Sequence, residues 1–289
     1  MLTNLRQNGQ SNIESGCVLL LGGFDGLHVG HKTLVERAKK YALPIGAMTI
    51  IGGKTGNSLF TEKERLDIFS AAGVDFVLTL PFEEIKDYSP ESFARLLEEK
   101  FAPKAFICGD DFRFGKGAAG TPETLKCATQ VPVEIVELLQ RNGEKISSTT
   151  IKRCLSQGDV STANELLGER FFLSGVVIRD RQVGKTLGFP TANIVYPSDK
   201  FSLKKGVYAT RSTIDGITYK GITNYGARPT FGEKRELTET YFDGFHGDLY
   251  GRELKLEFTR FLRDITKFQN AEALIAQLKK DLAEVRDND

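Results

Sequence analysis

The sequence predicts an α/β domain built on a parallel sheet, followed by a small antiparallel β-barrel that ends in a helix. Three observations carry that fold class. From Cys17 to about Val136, short apolar runs alternate with helical patterns. From Phe171 to Phe261, β-type segments follow one another, broken by Gly, Pro and Asp. From about Asn270, apolar residues recur at helical spacing. A chain of 289 residues is long enough for two such domains, each with its own core.

In the first region, Cys17–Leu21, Ile45–Ile50, Val74–Leu80, Ala105–Cys108 and Val131–Val136 read as buried strands joined by crossover helices. A helix is expected from about Gly30 to Tyr41. Others start at the Thr61-Glu62-Lys63-Glu64 capping box and at Ser89-Pro90-Glu91, where serine caps and proline takes the first turn. Two short helical stretches follow Ser147 and end near Gly168, which places the domain boundary there: 1–168 and 169–289. In the second region the strands read as Phe172–Ile178, Gly206–Ile214, Thr218–Thr223, Glu239–Phe245 and Glu253–Phe261. The closing helix carries Ala273, Leu274, Leu278 and Leu282 on one face. Exposed edges of such a barrel are compatible with weak self-association.

Composition excludes several classes. Hydrophobic residues make up 40% and charged residues 27%, and no apolar run approaches the roughly 20 residues of a membrane span. The start, Met1 to Gly16, is polar and lacks the apolar core of a secretory signal, so a cytoplasmic protein is expected. A formal net charge of +1 gives no reason to expect a nucleic-acid partner, whereas small anions need only local charge. Cys17, Cys108, Cys127 and Cys154 form no CxxC pair and read as reduced, mostly buried thiols.

Chemistry concentrates in Gly22-Gly23-Phe24-Asp25-Gly26-Leu27-His28-Val29-Gly30-His31. This turn follows the first buried strand and leads into a helix. A helix start offers unpaired N–H groups and a positive dipole end, which suit phosphate. Glycines allow backbone to approach a ligand closely, and imidazoles can donate to phosphoryl oxygens. Two of only three histidines in the chain fall here. A glycine-rich turn with incidental histidines is the plain alternative. A zinc site is a weaker one, because the third histidine, His246, lies in the other domain and no cysteine cluster completes a shell.

In its GGFDGLHVGH form the turn resembles the HxGH nucleotidyltransferase superfamily with its Rossmann-like domain, and within it the prokaryotic bifunctional riboflavin kinase/FMN adenylyltransferase (FAD synthetase) family. Gly109-Asp110-Asp111-Phe112-Arg113-Phe114-Gly115-Lys116-Gly117 matches a family loop over nucleotide and flavin. Ile146-Ser147-Ser148-Thr149-Thr150-Ile151-Lys152 matches the family's ISSTxIR. The resemblance implies transfer of AMP from ATP to FMN, giving FAD and pyrophosphate with Mg2+. It makes His28 and His31 catalytic, and assigns Gly22, Phe24, Asp25, Gly30, Ser147, Ser148, Thr149 and Lys152 to ATP. Asp110, Asp111, Phe112, Arg113 and Phe114 fall to the flavin. The family's Phe-x-Pro-His-Pro element is replaced by Met48-Thr49-Ile50-Ile51-Gly52-Gly53-Lys54; Lys54 and Asn57 read as solvated loop.

In the second domain, Gly184-Lys185-Thr186-Leu187-Gly188-Phe189-Pro190-Thr191-Ala192-Asn193 resembles the riboflavin kinase signature. Gly206-Val207-Tyr208-Ala209, Asn224 to Phe231 and Gly247-Asp248-Leu249-Tyr250-Gly251 follow at family spacing. The resemblance implies phosphorylation of riboflavin to FMN by ATP. Thr191 and Asn193 become Mg2+ ligands, Glu239 the base, Gly184 and Lys185 phosphate contacts, and Asn224 and Arg228 flavin contacts. Around these, Tyr241 replaces the family's histidine, Asp243 is moved by one position, and Asp180, Gln182 and Val183 stand where smaller or basic residues are usual. Three readings follow: both activities; adenylyl transfer alone, with an inactive kinase-like barrel; or a flavin-binding sensor without turnover.

Overall fold

The structure is a computed structural model that describes residues 2–5, 16–52, 57–137, 139–141, 143–179, 189–230 and 233–287, with backbone alone for 2, 4, 227–230 and 233–235. The chain divides into two compact units, Met1–Thr150 and Ile151–Asp289. That division falls ahead of Gly168, within the first of the two helices that follow Ser147.

The first unit contains β1 (Leu2–Asn4), β2 (Val18–Leu21), α1 (Val29–Lys39), β3 (Ile45–Ile51), α2 (Glu62–Ala72), β4 (Phe76–Pro81), α3 (Phe82–Ile85), α4 (Pro90–Phe101), β5 (Ala105–Gly109), α5 (Pro122–Ala128) and β6 (Val133–Val136). A small hairpin of β7 (Gln140–Arg141) and β8 (Glu144–Lys145) follows, then the start of α6 (Ser148–Gln157). Strand order in the main sheet is β1-β4-β3-β2-β5-β6. Strands β2 to β6 are parallel, as their apolar runs predict. The chain builds outward from β2 to β3 and β4, then returns to the other side of β2 with β5. That reversal opens a crevice at the carboxyl ends of β2 and β5, the usual ligand site of such sheets.

The local signals act as read. Thr61 and Glu64 form the reciprocal capping box of α2, and Gly73, at φ +91°, ends that helix in the left-handed conformation. Ser89 caps α4 and Pro90 opens it. Helix α4 buries Phe93, Ala94, Leu97 and Phe101 against Leu19, Leu21, Phe76, Leu78 and Phe106 of the sheet. Edge strand β1, antiparallel to β4, lies in a segment the sequence reading left without structure. Three residues carry too little periodicity to announce a strand. Cys17, Cys108 and Cys154 are buried and Cys127 is exposed. Burial raises Cys17 to about 11 and Cys108 to about 12, so both thiols stay protonated at neutral pH.

The second unit holds the rest of α6, α7 (Val160–Leu167), β9 (Phe172–Ile178), β10 (Ala192–Val195), β11 (Gly206–Ile214), β12 (Ile217–Thr230), β13 (Glu233–Phe242), β14 (Glu253–Arg263) and α8 (Ala271–Asp287). The strands close into a barrel in the order β10-β13-β12-β11-β14-β9, with β9 pairing back onto β10. The open edges expected for it are therefore paired. Two strands exceed expectation: β12 and β13 form a long hairpin whose register runs from Gly221↔Phe242 to Thr230↔Glu233. Gly226 and Pro229 mask this in sequence, because both are depleted from strand interiors. Gly221 allows the close pairing, since a Cβ there would stand 2.8 Å from the Tyr241 carbonyl oxygen.

Tyr208, Thr210, Thr223, Tyr225, Thr238 and Thr240 line the barrel interior. Their neighbours Val207, Ala209 and Ile222 face outward against Leu282 and Val285 of α8. A hydroxyl chain, Thr210 to Thr223 (2.7 Å) and Thr223 to Thr240 (2.8 Å), satisfies the buried threonines across three strands. The packed face of α8 comprises Leu274, Leu278, Leu282 and Val285, while Ala273 is exposed. Asp281, 3% exposed, receives the Arg263 guanidinium at 2.7–3.1 Å and the Gln277 amide at 2.7 Å. Near the helix end, Arg286 makes two 2.7 Å bonds to Asp243, which hold that carboxyl below its ordinary value. No helix among the described residues is long and apolar enough to cross a membrane.

Removing one partner of a buried ion pair leaves the other uncompensated, so Asp281→Ala should destabilise the barrel unit by ~3 kcal/mol. Urea unfolding monitored at a probe in that unit checks this. A loss within experimental error of zero would show that the pair contributes nothing to docking of α8.

Candidate active sites

The chain leaves the carboxyl end of β2 through Gly22–Leu27 and enters α1 at His28, the helix N-cap. Nδ1 of His28 accepts from the backbone N–H of His31 at 3.3 Å, taking the capping role usually filled by serine or aspartate. That nitrogen is therefore bare, and the neutral ring carries its proton on Nε2. His31 is fixed in the opposite sense. Its Nδ1 lies 2.8 Å from the Gly26 carbonyl oxygen, which can only accept, so Nδ1–H is the donor. The two rings stack at a 3.6 Å centroid separation and 17° between planes, and the Phe24 ring meets His31 edge-on at 4.7 Å. Burial lowers the His28 pKa to about 2, helped by the neighbouring His31 and then by Lys145.

Phe24 adopts φ +32°, a conformation costly for a bulky side chain, and its ring is buried. A Cβ on Gly22 would stand 2.9 Å from that ring, so the first glycine makes room for Phe24. Asp25, expected to face ATP, accepts the Leu59 N–H at 2.9 Å and ties the turn to the segment before α2. Gly30 is buried in the first turn of α1.

At the end of β5, across the same crevice, Asp110 and Asp111 are exposed, as is Arg113. Phe112 and Phe114 are core residues, stacked at 5.3 Å, and Phe114 also packs on Phe93. Burial takes up both rings, so what this loop presents outward is its polar residues. Asp111 forms an ion pair with Lys145 of β8. Lys145 is the residue sequence reading missed: its charge helps, after burial and His31, to depress the His28 pKa. Its only signal was a position one residue ahead of Ile146-Ser147-Ser148-Thr149, where a Glu-Lys pair reads as solvated surface.

Ser147 caps α6, its hydroxyl accepting the Thr150 N–H at 3.2 Å, which leaves Ser148 and Thr149 at the first two helical positions. Lys152 belongs to the second unit, where its ammonium lies 5.7 Å from the centre of the Phe201 ring. Lys54, Gly184, Lys185, Asp180, Gln182 and Val183 lie outside the described residues, as does the side chain of Arg228.

In the barrel, strand register assembles a second site. Glu239 on β13 is directly opposite Asn193 on β10 and directly opposite Asn224 on β12. The three side chains leave the same outer face in one row. Asn224 Nδ2 donates to Glu239 Oε2 at 3.4 Å. Asn193 is 4% exposed, and its Oδ1 has no hydrogen-bond partner. An orphaned, buried amide oxygen two residues after Thr191 suits a hard cation. Phe189, from the loop leading to Thr191, meets Tyr241 edge-on at 4.9 Å.

One unit holds two imidazoles at a helix start over a sheet crevice, and the other a carboxylate between two amides on a barrel wall; the class these define is a two-module transferase acting on phosphorylated substrates. The FAD synthetase family matches residues 10–150, and the riboflavin kinase family matches 167–288. The bifunctional riboflavin kinase/FMN adenylyltransferase of Listeria monocytogenes is 32% identical over 286 residues, covering 93% of this chain and 91% of that one. Its Bacillus subtilis counterpart is 32% identical, covering 92% and 90%. A solved structure described as a macrolide-efflux protein from Streptococcus pneumoniae superposes with a TM-score of 0.88 at 29% identity, over 99% of this chain and 98% of that one. The chain belongs to the bifunctional riboflavin kinase/FMN adenylyltransferase family.

The His28 geometry has a measurable consequence. Between pH 6.5 and about 2 the unfolded chain binds a proton that folded His28 refuses, so stability of the first unit falls as pH drops below 6.5. His28→Gln should flatten that slope in unfolding titrations from pH 7 to pH 4. In 15N spectra of the native protein the His28 ring should stay neutral with its proton on Nε2; a ring protonated at pH 6 would contradict the assignment.

Proposed function

We propose that this chain makes FMN and then FAD, phosphorylating riboflavin in the barrel and transferring AMP from ATP to FMN in the first unit. For the second reaction the supporting observation is the histidine pair, held in opposite tautomers at the start of α1. An oxygen of the FMN phosphate attacks the α-phosphorus of ATP, and pyrophosphate leaves. Nε2–H of His28, neutral and buried, donates to an α-phosphoryl oxygen as charge builds there. His31, its Nδ1–H held by the Gly26 carbonyl, packs flat on the His28 ring and keeps it in place, and Lys145 supplies the positive charge. Ser148 and Thr149, with the free amides of the first turn of α6, receive the departing phosphates. Gly22, Phe24 and Gly30 shape the turn, while Asp25 serves ATP indirectly by anchoring it. Asp110, Asp111 and Arg113 are the flavin-side contacts. Phe112 and Phe114 hold that loop in place.

In the barrel, Glu239 takes the proton from the terminal ribityl hydroxyl, whose oxygen attacks the γ-phosphorus of ATP with loss of ADP. Thr191 and Asn193 would hold Mg2+, which when bound offsets phosphate charge. The fit rests on the orphaned Asn193 oxygen. We set the boundary between the catalytic modules at Gly168, the left-handed cap of α7 at φ +66°. Both steps consume ATP, which supports a cytoplasmic enzyme.

One experiment tests the scheme: incubate the protein with Mg2+ and ATP plus either riboflavin or FMN, under aerobic and reducing conditions, and resolve the flavins chromatographically. FMN and FAD are expected from riboflavin. FAD from supplied FMN alone would leave adenylyl transfer as the sole activity, and bound flavin without product would make the chain a sensor. His28→Ala and His31→Ala should each lower FAD formation by ~100- to 1000-fold. Glu239→Gln should abolish FMN formation and leave FAD formation from supplied FMN.

A further inference from the structure

We infer that Asn224 is a positioning residue for Glu239 rather than a flavin contact: its side-chain amide aims the carboxylate at the hydroxyl that Glu239 deprotonates. The inference rests on the kinase reading above. Three observations carry it.

Register comes first. Asn224 and Glu239 are direct cross-strand partners, so their side chains leave neighbouring strands side by side on one face. Next is the contact itself, in which Nδ2 donates to Oε2 at 3.4 Å. This is long for a hydrogen bond, as catalytic contacts often are before substrate closes the site. Rigidity is the third. Thr223, just before Asn224, is held through its hydroxyl by Thr210 and Thr240 inside the barrel. Tyr225, just after it, donates its hydroxyl to Glu236. Asn224 is thus fixed on both sides by inward-facing neighbours that it does not share a face with, which suits an orienting group.

The chemistry agrees. An amide N–H directed at one carboxylate oxygen fixes the orientation of the carboxylate, and the amide has no proton to lose in competition. Asn193, on the opposite side of Glu239, presents an unpartnered oxygen instead of a donor to its surroundings. The two asparagines therefore divide the work, one toward a cation and one toward the base.

The test measures kcat and KM for riboflavin in the full-length wild type, Asn224→Ala and Asn224→Ser, with Mg2+ and ATP saturating. In Asn224→Ala, kcat should fall roughly 10- to 100-fold while riboflavin KM stays within about twofold. Asn224→Ser, which keeps a short donor, should recover part of kcat, and it decides the matter if the alanine variant does not fold. A raised KM with unchanged kcat would make Asn224 a flavin contact and overturn the inference. An unchanged kcat in both variants would overturn it as well. Wild-type protein that makes FAD from FMN but no FMN from riboflavin would overturn the kinase reading itself, and the inference with it.

Discussion

A helix that begins on histidine has a free amide to satisfy and one imidazole nitrogen with which to do it. In α1 that bond, His31 N–H to His28 Nδ1, settles more than a cap. It strips Nδ1 of its proton and leaves the ring's one N–H on Nε2. It also draws His31 back over His28, so that the rings stack and the Gly26 carbonyl can take the His31 Nδ1 proton. Two chemically identical side chains three residues apart are thereby held in opposite tautomers. Burial, which keeps His28 neutral, preserves this arrangement across the whole range of pH in which the protein would work.

The two units place their reactive groups by different means. In the first, topology does it: the chain reverses direction at β2, and the turns after β2 and β5 meet over the gap that the reversal leaves. In the second, register does it. Asn193, Glu239 and Asn224 are brought into line because β10, β13 and β12 pair without slippage at those positions. A one-residue slip would send Glu239 into the barrel among the buried threonines. The hydroxyl chain inside the barrel resists that slip, since each inward threonine would lose its partner.

Much of this was legible in the sequence. The parallel strands, the caps at Thr61 and Ser89 and the strands β9 and β11 come straight from periodicity and cap chemistry, which are local. What stayed hidden is non-local. The β12–β13 hairpin runs past Gly226 and Pro229 because cross-strand pairing outweighs their poor strand propensity. Phe112 and Phe114 fall to the flavin by resemblance, but the core beside α4 buries their rings. Asp25 and Asp243, expected near ligands or displaced from a motif, satisfy a backbone amide and Arg286 respectively. Lys145 is the sharpest case: in sequence it is half of a Glu-Lys pair that reads as solvated surface, and only the folding of a two-residue hairpin strand brings its charge within reach of His28.

That lysine also shows why the site can rest with its charges paired and still receive an anion. Lys145 is bonded to Asp111, but both side chains are about half exposed. A solvent-exposed ion pair of this kind contributes at most about 1 kcal/mol, and its screening by salt lowers that further. In the proposed reaction a triphosphate would bring more negative charge than one carboxylate, beside helix-start amides, and so would displace Asp111 from Lys145 at little cost. That displacement would leave Asp111 for the flavin. His28 cannot take part in it, because it carries no charge to trade. In the proposed reaction the division is therefore between a neutral, fixed group, which would meet the charge that develops during transfer, and an exposed, charged one, which would meet the charge the substrate brings.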